Sequence, residues 1–95
     1  MLKITAIKQI HNYTITLLFN NGVIKDINLL DEIQKISSSY VNKTELLKQD
    51  VFCNVKIGSF GQLYWENLAY MKDEKNQLVP CEFDISPDYA YYDIN

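Results

Sequence analysis

Apolar residues alternate with polar ones most clearly over residues 13–19, where Tyr13, Ile15, Leu17 and Phe19 fall on one side. That two-residue period predicts a strand with one buried face. Asn20-Asn21-Gly22 breaks the run, and residues 23–29 return as a second strand. The register follows from the pattern. A two-residue Asn21-Gly22 loop would set Leu17 against Asp26 and Ile15 against Asn28. A three-residue loop sets Phe19 against Val23, Ile15 against Ile27 and Tyr13 against Leu29. A one-residue slip moves every side chain to the other face, so the second register is expected. It places Gly22 at the left-handed position of a turn-plus-bulge hairpin, where glycine meets no Cβ clash. Upstream, residues 2–10 mix β-branched and charged side chains and read as a first strand, with a turn at His11-Asn12.

The period changes after Leu29. Leu29, Leu30, Ile33 and Ile36 recur at helical spacing, with Asp31-Glu32 near the start, where acids suit the helix dipole. Ser37-Ser38-Ser39 ends that helix early. Asn42 with Glu45 three residues on forms a capping signature for a second short helical stretch. Residues 52–57 alternate again, and Gly58-Ser59-Phe60-Gly61 turns the chain back through residues 62–65. Setting Ile57 against Leu63 and Val55 against Trp65 makes an apolar face, with Lys56 opposite Tyr64 on the other. Cys53 falls on the face of Val55, Ile57 and Trp65 and is expected to be buried. Residues 71–77 read as a polar loop and 78–83 as a further strand. Ser86-Pro87-Asp88 marks the start of a short C-terminal helix: a capping hydroxyl, then Pro in the first turn. The expected architecture is α+β: two antiparallel hairpins, a short helical segment between them, and a short closing helix.

The chain length of 95 residues fits one domain over 1–95. Surface scaling gives roughly 5,700 Å² folded against roughly 16,100 Å² unfolded, enough burial for one core without metal or disulfides. All nine basic residues are lysine; residues 1–48 carry a net charge of +2 and residues 49–95 a net −5. A nucleic-acid binder needs a basic stripe and arginine for base contacts, so no direct nucleic-acid binding is expected. No run approaches the ~18 apolar residues of a membrane span, and the N-terminal lysines interrupt any signal-peptide core. A cytoplasmic location is expected.

The order of these elements resembles DUF2442, a small bacterial family of domains of unknown function. The resemblance is carried by Tyr13, Phe19, Asn21-Gly22 and Ile27-Asn28-Leu29, then by Phe52, Gly61, and Trp65 with Asn67. It ends with Asp84-Ile85-Ser86-Pro87-Asp88-Tyr89-Ala90-Tyr91. Asn28 stands where the family often has Asp, and residues 69–82 read as an insertion. The resemblance implies an α+β domain with an antiparallel sheet. Some similar proteins carry a helix-turn-helix domain, and others are partnered with small proteins suggestive of toxin–antitoxin pairs.

Candidate chemistry is sparse. His11, the only histidine, sits in a turn beside no Cys, Ser or acid that would make a dyad. Cys53 and Cys81 lack the spacing and the histidines of a zinc site. Gly58-x-x-Gly61 matches no nucleotide loop. Neither cofactor nor metal is expected. Asp84 and Asp88 flank a helix start, where capping is the simple reading. Trp65 is expected as a core aromatic with its indole N–H satisfied locally.

The conspicuous surplus is tyrosine: Tyr89, Tyr91 and Tyr92 lie within four residues, beside Asp88. A short helix cannot bury all three, and tyrosines among acids suit an interface. The favoured reading is a non-enzymatic protein-interaction module. Its partner would be a toxin-like or regulatory protein, or a second copy of the chain. The alternative is a ligand-binding or enzyme domain that gathers Trp65, Glu66, Asp84 and His11 around one pocket. A third is an accessory to a DNA-binding regulator, with the nucleic-acid contact supplied by a partner. Gly22, Trp65, Asp84 and Pro87 are read as structural.

Overall fold

The computed structural model describes residues 1–94. Its first sheet has the order β1-β2-β3, with β1 at Ile4–His11, β2 at Thr14–Phe19 and β3 at Ile24–Asn28, all antiparallel. The β2–β3 register is the expected one. Ile15 faces Ile27, and the Phe19 amide donates to the Val23 carbonyl at 2.9 Å. Gly22 closes the turn at φ +87°.

β1 solves a spacing problem. Its apolar residues Ile4, Ile7 and Ile10 recur every three positions, which a regular strand cannot present on one face. Bulges between Ile4 and Ala6 and between Ile7 and Gln9 each absorb one residue. Ile4, Ile7 and Ile10 thereby sit opposite Phe19, Leu17 and Ile15.

Three short helices follow: α1 (Leu30–Gln34), α2 (Lys43–Leu46) and α3 (Gln49–Phe52). Asn42 caps α2 as expected, its side chain accepting from the Glu45 amide at 3.2 Å. The strand expected over 52–57 shrinks to β4, Lys56–Ile57, because Phe52 closes α3 instead. The Phe52 amide donates to the Lys48 carbonyl at 2.8 Å, and the helical turn aims the ring inward between Tyr13 and Trp65. The same turn rotates Cys53 out to solvent, against the expectation that it would share the buried face of Trp65.

The second sheet, β4-β5-β6, contains β5 (Leu63–Lys72) and β6 (Leu78–Ile85). Lys56 faces Tyr64 and Ile57 faces Leu63, as the pattern requires. Residues 69–82, read from sequence as an insertion, form the outer half of the β5–β6 hairpin, and only the tip between Lys72 and Leu78 is turn. A bulge between Trp65 and Ala69, with Asn67 at φ +61°, lets the strand continue past the tryptophan. Residues 40–42 cover the far edge of β5: the Tyr70 amide donates to the Tyr40 carbonyl and the Asn42 amide to the Leu68 carbonyl, both at 2.8 Å.

The chain ends in α4, Pro87–Tyr92, capped by Ser86, whose hydroxyl accepts from the Tyr89 amide at 3.1 Å. The fold is therefore α+β with antiparallel sheets, the strands expected at 2–10 and 78–83 pairing with the two hairpins as third strands. One apolar core joins both sheets, with Ile15, Leu17, Phe19 and Ile27 from the first, Leu63, Trp65 and Ile85 from the second, and Ile33, Leu46 and Phe52 between. The sheets meet where the Ile4 amide donates to the Gly61 carbonyl at 3.0 Å. The accessible surface is 6011 Å², above the scaling value, in keeping with principal-axis extents of 44 × 27 × 21 Å. Among the described residues no helix is long and apolar enough to cross a membrane.

Candidate interaction site

α4 is short, so its faces can be assigned residue by residue. Ala90 is buried inward, as is Ile94 just beyond the helix. Tyr91 packs its ring edge-on against Phe19, with centroids 5.0 Å apart. Lys25 comes from the core-facing side of β3, donates to the Tyr91 carbonyl, and holds its ammonium 5.7 Å from the Tyr91 ring centroid. Tyr91 is thus a packing residue. Tyr92 is 72% exposed, resting edge-on against Tyr91, and Tyr89 is 42% exposed. Two of the three clustered tyrosines face solvent, as does Asp88 in the first turn.

Tyr89 also closes one side of a groove of about 440 Å³ between α1, β6 and α4. Its apolar wall is Ile33, Ile36, Phe83 and Ile85; Glu32, Asp84 and Ser86 complete the lining. The Tyr89 hydroxyl donates to Glu32 Oε2 at 2.6 Å. That hydrogen bond is the main cause holding the phenol's pKa above its usual value, with desolvation and the charges of Glu32 and Asp93 adding to it. Glu32 and Asp84 are in no ion pair among the described residues, where the salt bridges are Lys48–Glu45 and Lys56–Glu66. The groove combines apolar surface with unneutralised carboxylates, the complement of a side chain that is apolar in body and cationic at its end or beside it.

The other candidates do not all gather: Trp65 and Glu66 share a depression with Lys56 and Asn67, while Asp84 and His11 lie elsewhere. Trp65 is 1% exposed, donates its indole N–H to the Phe52 carbonyl at 2.8 Å, and lies between the rings of Phe52 and Phe83, each 5.7 Å away. The expected local satisfaction of the indole is met. Glu66 is exposed and accepts from Lys56 Nζ at 3.1 Å, the contact that chiefly raises the lysine's pKa. Asp84 lines the α1–β6–α4 groove, whereas His11 lines a separate depression with Asn12, Tyr13 and Asn28. The pocket that was to gather Trp65, Glu66, Asp84 and His11 does not form. Asp84 is no helix cap either: it lies on β6 opposite Tyr64, and Ser86 does the capping. Cys53 and Cys81 are free thiols, and among the described residues no group of three His, Cys, Asp or Glu is placed to hold a metal.

Glu32, Ile36 and Phe83 were not distinguished by the sequence as site residues. Glu32 reads there as a dipole-matched acid of a short helix, and nothing in its spacing shows that it meets Tyr89, far along the chain. No protein-family model matches the chain, and no match was found among curated proteins or solved structures.

Proposed function

We propose that this chain is a protein-interaction module that binds its partner through the face formed by α4, α1 and β6, in the bacterial cytoplasm. The observation that supports the reading is the groove itself: apolar walls, carboxylates without ion-pair partners among the described residues, and an exposed tyrosine at its mouth. Tyrosine at such a rim supplies contact area with a hydroxyl that stays wet, and apolar walls supply the burial. The motif order shared with DUF2442 fits a small accessory domain of this kind, its partner a regulatory or toxin-like protein or a second copy.

The test is affinity capture of the tagged protein from its native host, with Glu32→Lys and Tyr92→Ala as controls on the proposed face. Tyr91 is left intact because it packs on Phe19. A stoichiometric protein, or a second copy, lost in the controls supports the reading. A partner retained by both variants places the interface elsewhere.

A further inference from the structure

The groove runs beside a strand edge whose main chain is unpaired. Among the described residues the Gly58 amide donates to the Gln62 carbonyl at 2.8 Å, so that pair is hydrogen-bonded. Antiparallel pairs alternate between bonded and non-bonded. Ile57–Leu63 is then non-bonded and Lys56–Tyr64 bonded, which turns the Tyr64 main chain toward β4. Asp84, opposite Tyr64 across β5–β6, consequently makes no ladder bond to β5. Its N–H and C=O point out of the sheet at the free edge of β6, on the groove, and no other segment among the described residues bonds them.

The outer half of the same edge is closed to pairing. The Asp73 amide donates to the Gln77 carbonyl at 2.9 Å, so by the same alternation Pro80, opposite Tyr70, also faces outward. A proline there presents no donor, a common way of blunting an edge. The edge is thus blocked at Pro80 and open at Asp84, and the opening coincides with the groove.

We propose that a partner segment adds to β6 as an extended strand at Asp84, and that this segment has the pattern apolar–Lys/Arg–apolar. The inference rests on the interaction reading above. A residue paired beside Asp84 points its side chain to the Asp84 face, where the carboxylate has no cation. Its two neighbours point to the opposite face of the strand, toward Phe83, Ile85 and the walls Ile33 and Ile36. Main-chain bonds supply affinity in such strand addition, and the alternating side chains supply selectivity. Charge complementarity fixes the central residue: Asp84 lines the groove at the open edge and is in no ion pair among the described residues.

The probes are three synthetic peptides, read by fluorescence anisotropy: alternating Val/Lys, alternating Val/Glu, and Val/Lys with alternate amides N-methylated. The Val/Lys peptide is expected to bind at least about tenfold more tightly than either of the others, corresponding to roughly 1.4 kcal/mol for the lost contacts. Asp84→Asn removes the charge alone. Asp84→Pro also removes the outward N–H without touching a ladder bond, as Pro80 already does. Asp84→Pro should weaken Val/Lys binding beyond Asp84→Asn, with Trp65 fluorescence reporting an intact core. Glu74→Lys at the hairpin tip makes a larger charge change away from the groove and should leave binding unchanged. If the N-methylated peptide binds as well as its parent and Asp84→Pro matches Asp84→Asn, strand addition is overturned while the interaction reading stands. Binding lost equally in Glu74→Lys, or no binding of Val/Lys, also overturns the proposal. The capture experiment tests the broader reading separately.

Discussion

The ammonium group of Lys25 donates to the main-chain carbonyl of Tyr91. Lys25 pairs with fully buried Leu17 on the core-facing side of the first sheet, a position where a lysine looks misplaced. The last carbonyls of a helix have no intrahelical partner, and a cation there is favourable. The lysine extends its stem along the core and serves the last turn of α4 with its head. It thereby ties the first sheet to the helix that borders the groove. Lys25→Met keeps the stem and removes the donor. We expect it to lower stability by about 1.5–3 kcal/mol in urea unfolding, the range for a hydrogen bond to a charged group. A variant as stable as the parent would mean that the packing of Tyr91, Ala90 and Ile94 anchors the helix without the lysine.

Trp65 is the counterpart inside the core. Its indole N–H bonds the Phe52 carbonyl at 2.8 Å, joining β5 to α3, and Phe83 on its other side carries the packing to the groove wall. Trp65→Phe removes volume and the shorter of the two hydrogen bonds to the Phe52 carbonyl, leaving it only the Val55 amide at 3.3 Å. A loss of about 2–4 kcal/mol is expected, measured by circular dichroism because the variant has no tryptophan. In the parent, emission from this single buried indole should be blue-shifted and move to the red on unfolding.

The Tyr89–Glu32 contact gives a pH dependence with a definite sign. The folded phenol titrates above its ordinary value of 10.0, chiefly because its proton is shared with the Glu32 carboxylate. The protonated form is therefore favoured in the folded state. The contribution is fully present below the unfolded pKa and is lost as pH rises through the folded one. In Glu32→Gln, the Tyr89 ring resonances in NMR should titrate at lower pH than in the parent. An unchanged midpoint would show that the carboxylate does not hold the proton in solution.

How much of this was legible in the sequence depends on how local each cause is. The β2–β3 register, the Asn42 cap and the Ser86-Pro87 helix start rest on neighbours in the chain, and all three are as expected. The helix ending at Phe52 was not legible, because a short apolar run fits either a strand or a helical turn until tertiary contacts decide. Here Tyr13 and Trp65 decide it. The length of β5 was hidden by Asn67, a left-handed residue at a bulge with no glycine to signal it. The groove was invisible for a stronger reason: Glu32 meets Phe83 and Tyr89 from a distant part of the chain.

Three of the four hairpin turns, those after β2, β4 and β5, share one geometry and provide an internal comparison of what a left-handed residue does. In each, the first residue's amide donates to the carbonyl four residues on, and the fourth residue's amide bonds back to the first carbonyl. The fourth residues are Gly22, Gly61 and Asn76, at φ +87°, +75° and +63°. Asn tolerates this conformation better than most residues, which explains the third. The two glycines differ in surroundings. A Cβ on Gly22 would meet nothing within 4 Å, whereas one on Gly61 would lie 2.4 Å from Lys3 Cβ and 2.7 Å from its Cα. Gly61 is also where the Ile4 amide docks, so the clash falls on the junction of the sheets. Gly22→Ala should cost only the conformational penalty, about 1–2 kcal/mol, and lower Tm by roughly 4–16 °C. Gly61→Ala adds a backbone displacement to the same penalty and should cost at least about 3 kcal/mol in total. Asn76→Gly should leave stability unchanged or raise it by a few tenths of a kcal/mol, about what relief of the left-handed strain offers. Thermal unfolding of the three variants side by side checks the order. Equal losses in Gly22→Ala and Gly61→Ala would mean that the approach of Lys3 to the turn relaxes without cost, and that the sheets are joined by the core alone.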